Sequence, residues 1–94
     1  MNQCLRIIFS LTLPKKFLPV LQKHAKNLGL EGTAQTIQSD GIPQIRIVVC
    51  GAKAAIDDFI DFLHQEISKE KVAGMEVEPF IKDRDYRGVF RVIE

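Results

Sequence analysis

Residues 5 to 18 read Leu5-Arg6-Ile7-Ile8-Phe9-Ser10-Leu11-Thr12-Leu13-Pro14-Lys15-Lys16-Phe17-Leu18, and within them the spacing of apolar side chains changes from two to three or four. Leu5, Ile7, Phe9 and Leu11 alternate, as a half-buried strand over residues 5 to 12 requires. From Phe17 onward, Val20, Leu21, Ala25 and Leu28 recur at helical steps, while Lys16, Lys23, Lys26 and Asn27 fall between them. That pattern predicts an amphipathic helix over residues 17 to 28. Pro19 then belongs in its first turn, where a missing N–H has no helical partner, and Gly29 closes the helix as a left-handed cap. The chain therefore begins with a β–turn–α unit, and residues 13 to 18 are the turn.

Working outward, residues 31 to 37 and 44 to 50 flank Ser39-Asp40-Gly41-Ile42-Pro43. The Asp-Gly pair and the proline predict a β-hairpin with a connection longer than two residues. Ile56, Phe59, Ile60, Leu63 and Ile67 make a second helical stripe, with Lys53, Asp57, Asp58 and Asp61 outside it. Residues 75 to 81 read as a strand with Glu76 and Glu78 facing out, and residues 89 to 93 as a short last strand. The order is βαββαβ plus a C-terminal strand. It predicts an α+β domain of ferredoxin-like plan, two split βαβ units forming an antiparallel sheet with both helices on one face.

Ninety-four residues with 46% apolar and 27% charged side chains are one globular domain's worth, spanning residues 1 to 94. Thirteen Lys and Arg against twelve Asp and Glu leave a net charge of +1, so nucleic acid and anionic membranes are not expected partners. No segment has the form of a secretory leader or a spanning helix, which reads as a cytoplasmic protein. His24 and His64 stand in no ligand spacing, the aspartates of the second helix lie on its wet face, and neither a metal nor a cofactor is called for. Cys4 and Cys50 begin and end strands that could be neighbours, but in a reducing compartment two buried thiols are expected. Phe90, within Arg87-Gly88-Val89-Phe90-Arg91-Val92, is read as a core residue and not as a base-stacking platform.

Leu28-Gly29-Leu30-Glu31-Gly32 ends a helix and opens a strand, and in that setting it resembles the Leu-Gly-Leu-x-Gly of the acylphosphatase family. Asp40-Gly41, Gly51, the helix carrying Phe59 and Leu63, and Gly88-Val89-Phe90-Arg91-Val92 follow in that family's order, over nearly the full length. The resemblance implies an active-site turn on residues 10 to 18, where active members read Gly-Arg-Val-Gln-Gly-Val-x-Phe-Arg. Here only Phe17 matches. Leu18 stands at the phosphate-binding arginine and Pro14 at the second glycine, so the forked cation and one backbone N–H are both missing. The water-orienting asparagine aligns with Thr36, or with Ile37 if the hairpin is longer, and neither offers an amide. Losing one such clamp costs roughly 100- to 1000-fold in rate, so a degenerate, catalytically inactive site is implied.

What remains is Lys15, Lys16 and Phe17 at a helix start, a setting that favours a phosphate-like anion. The expected role is a binding or interaction module, for such an anion or for a protein partner or second copy at a sheet edge. Two alternatives stand beside it. One is a weak acylphosphatase in which Lys15 or Lys16 replaces the arginine and Thr36, Gln35 or Gln38 holds water. The other is a small-ligand regulatory domain of ACT type, which shares the βαββαβ order.

Overall fold

The computed structural model describes residues 2–10, 14–70, 73–79 and 87–93. Its elements are β1 (Asn2–Ser10), α1 (Pro14–Asn27), β2 (Glu31–Ser39), β3 (Ile42–Ala52), α2 (Lys53–Glu70), β4 (Ala73–Pro79) and β5 (Phe90–Ile93). The strands form one sheet in the order β4-β1-β3-β2-β5. β1 pairs with β3 and β4, and β3 with β2, all antiparallel. β5 runs parallel to β2, so the sheet is mixed and not wholly antiparallel as expected.

Alternation along each strand sends Ile7, Phe9, Ala34, Ile45, Ile47, Val49 and Phe90 to one face, where all are buried. Both helices cover that face, α1 over β2 and β5 and α2 over β3 and β1. Ile56, Phe59 and Leu63 of α2 and Leu21 and Ala25 of α1 complete the core. Asp57, Asp58 and Asp61 are exposed, as their place outside the stripe requires, and Phe90 is a core residue packed against Phe59. His24 of α1 stacks flat on Phe62 of α2, ring centroids 4.0 Å apart, joining the two helices.

The helix C-terminus forms as its sequence suggests. Leu30 N–H donates to the Ala25 carbonyl and Gly29 N–H to that of Lys26, the paired bonds of a Schellman cap with Gly29 at φ 70°. Its beginning is different. α1 starts three residues early because Pro14 suits a first helical position, and Pro19 consequently lies inside the helix, withholding the N–H that would bond the Lys15 carbonyl. Val20, placed on the apolar stripe by its spacing, is 46% exposed, and Leu18 takes the inward position instead.

The hairpin is also tighter than expected. Ser39 pairs with Ile42, leaving only Asp40 and Gly41 as the loop, and their φ values of 53° and 78° are the pair of left-handed conformations of a type I′ turn. At the other end of β2, Gly32 has φ 141°, and a Cβ there would overlap the Val48 carbonyl. This close approach lets β2 lie against β3 while Gly32 N–H donates to the Val89 carbonyl at 3.0 Å, anchoring β5.

Cys4 and Cys50 are joined in a disulfide, correcting the expectation of two free thiols. The register explains it: the two residues are direct cross-strand partners, with Cα atoms 4.1 Å apart. The link lies on the face away from the helices and spans a sequence separation of 46.

Two stability predictions follow from this geometry. Reduction should lower the free energy of unfolding in urea by about 2 to 4 kcal/mol through loss of the loop constraint; an unchanged midpoint would show that the link does not persist in solution. Gly32→Ala should cost about 3 kcal/mol or more, since strain and overlap act together.

Candidate functional site

The turn that the family resemblance marks lies between the end of β1 and the start of α1. Leu11, Thr12 and Leu13 lie outside the described residues, as do the side chains of Pro14, Lys15 and Lys16. The backbones of these last three form the first turn of α1. Helix starts leave N–H groups without helical partners and carry positive potential, and no acidic side chain occupies this first turn.

Phe17 and Leu18 are buried, at 6% and 1% exposure. The Phe17 ring meets Phe9 edge-on at a centroid separation of 5.8 Å. Phe9 in turn heads a cross-strand row with Ile45 and Thr36 on the helix-covered face. The register thus brings Thr36 to the end of the sheet where α1 begins, which is the end the resemblance requires. Ile37, the other candidate for the asparagine position, pairs with Gln44 and points to the opposite face.

Thr36 is exposed and its hydroxyl can bond water, but it offers no amide. Gln35 lies on the face away from the helices, where its carbonyl, with the amide turned to suit, accepts from Arg46 Nε at 3.1 Å. It cannot serve a site at the start of α1. Gln38 shares the face of Thr36 and is exposed.

Leu18 is the residue whose role sequence spacing understated. Leu18, Leu21 and Ala25 form the true inward stripe at steps of three and four, and all three are almost wholly buried. The available signal was this spacing, which competed with one through Val20. An arginine at Leu18 would have to place its charge among Phe9, Phe17 and Leu21 or swing clear of the core. The residue is therefore structural as well as chemically silent.

Elsewhere on the sheet, Arg6 of β1 pairs with Glu78 of β4. Both are substantially exposed, so the pair adds little stability. Glu31 accepts from Gly88 N–H at 3.2 Å, next to the Gly32–Val89 bond, and Gln22 of α1 donates to the Phe90 carbonyl at 3.4 Å. These contacts hold β5 at the edge. Among the described residues, no helix is long and apolar enough to cross a membrane.

A family model described as acylphosphatase matches residues 15–92. The match begins after Pro14, so it takes in Leu18 and Thr36 but not most of the turn. Similar solved structures include an acylphosphatase from Coxiella burnetii, at 21% identity and TM-score 0.75, covering 98% of this chain and 93% of that one. Another is an acylphosphatase from Bacillus subtilis, at 19% identity and TM-score 0.75, with both chains covered in full. A third is HypF from T. kodakarensis, at 18% identity and TM-score 0.73, where all of this chain matches 12% of that one. At these identities the structural likeness is one of fold. No curated protein matches significantly. The family match leaves the ACT-type reading without support.

The burial of Leu18 gives a direct test. Leu18→Ala should cost about 2 to 5 kcal/mol, and Leu18→Met less than about 1.5 kcal/mol, in urea unfolding. Equal, small costs for both would show that Leu18 does not pack in the core.

Proposed function

Because the chain belongs to the acylphosphatase family, matching its model over residues 15–92, we propose that it is a member without hydrolytic activity that works as a binding module. The observation that carries this reading is the burial of Leu18 at the arginine position, with a side chain that can neither charge nor donate. Thr36, at the asparagine position, supports it by lacking an amide. Electrostatic clamps supply most of the acceleration in reactions of this kind, and both are replaced.

Two ligands suit such a module. A small phosphate-like anion can meet the free N–H groups at the start of α1, near Lys15 and Lys16. A protein chain, this one included, can pair with β4 or β5, the two edges of the sheet. Binding needs no cofactor. A cytoplasmic setting is part of this reading.

Purified protein incubated with acetyl phosphate and benzoyl phosphate should turn over neither above the uncatalysed rate. Turnover above that rate, lost on Lys15→Ala or Lys16→Ala, would overturn the inactive reading and establish the hydrolase instead. For the anion, titration with inorganic phosphate should shift the backbone amides of residues 15 to 18 at millimolar concentration. If they do not respond, the remnant turn holds no anion.

A further inference from the structure

The two edges of the sheet match each other. Glu78 of β4 and Arg91 of β5 end one cross-strand row, which runs through Arg6, Val48 and Thr33. Val77 and Val92 end the next row, on the helix-covered face, and Glu76 and Ile93 end the third. Glu76, Val77, Glu78, Arg91 and Ile93 are all exposed, Val77 at 43% and Ile93 at 46%. β4 and β5 also run in opposite directions, because β4 opposes β1, β1 opposes β3, β3 opposes β2, and β5 follows β2. A second copy set beside the first, with its rows continuing the same lines, therefore brings β4 antiparallel to β5.

We propose that the protein assembles head to tail through these edges, β4 of one copy pairing with β5 of the next in the register Glu78 to Arg91, Val77 to Val92 and Glu76 to Ile93. The proposal rests on the binding-module reading and names its partner as this chain itself. Opposite charges meet on the open face and two valines meet on the covered one, the arrangement that stabilises antiparallel neighbours. Self-pairing of β4 is disfavoured. A two-fold axis on Glu76, Val77 or Glu78 sets glutamate against glutamate, a common guard on edge strands. Pairing of β5 with itself joins no opposite charges and stops at a dimer.

The head-to-tail contact is heterologous and open-ended, so it builds short runs of sheet and not a closed pair. It is also brief. β5 has four residues and Pro79 ends β4, which confines assembly to high concentration.

Sedimentation velocity on the full chain, from micromolar to millimolar, should give a weight-average coefficient that keeps rising past the dimer. Arg91→Glu should weaken association about fivefold, by turning an attractive pair into a repulsive one. Combining it with Glu78→Arg should restore association, with unfolding curves confirming that each variant is folded. A strict monomer at millimolar concentration, a limit at dimer, or indifference to Arg91→Glu would each overturn the proposal. None of these outcomes bears on acyl phosphate turnover, which is scored separately.

Discussion

The contact on which the rest of this fold depends is that of β3 with the two helices. Ile45, Ile47 and Val49 point from β3 into the helix layer and are wholly buried, while Val48 and Cys50 behind them are nearly so. Each such side chain gains about 1.5 to 3 kcal/mol from leaving water, and β3 carries more of them than any other strand. Every neighbour is then placed by pairing: β1 and β2 on either side of β3, and β4 and β5 on the outer edges of those two. A chain of this length has little stability to spare, so a central strand buried along its helix-covered face, with Val48 and Cys50 buried behind it, does the work that larger domains spread over several.

That arrangement also decides what became of the turn before α1. The helix has to present an apolar stripe to β2, β5 and β3, and the stripe it presents begins at Phe17 and Leu18. In this chain the position that the family resemblance gives to a charged group has been absorbed into the core.

The order of elements was legible because periodicity is strong in β1, α2 and β3, and Gly29 and Asp40-Gly41 punctuate it. The parallel setting of β5 was not, because a four-residue strand does not encode its direction and is positioned by distant partners such as Gln22, Glu31 and Gly32. The start of α1 was misplaced because two prolines compete for the first turn, and the choice of Pro14 changed which side chain, Leu18 or Val20, faces inward. In the candidate site, positions 18 and 36 were singled out by the family pattern alone. That Thr36 sits at the right end of the sheet and Gln35 on the wrong face required the register, which local spacing does not contain. The disulfide is of the same kind: two cysteines 46 positions apart become neighbours only once β1 and β3 are aligned.

That covalent link makes the stretch from Cys4 to Cys50 a closed ring, and the ring contains all of α1, β2 and the Asp40-Gly41 turn. The turn is the exposed tip of the hairpin and a natural place for a protease to cut. In the oxidised protein a single cut there opens the ring without releasing a fragment, and both new ends remain held by strands on either side of the nick. The oxidised domain can thus carry a broken backbone at its most vulnerable point and still travel as one molecule.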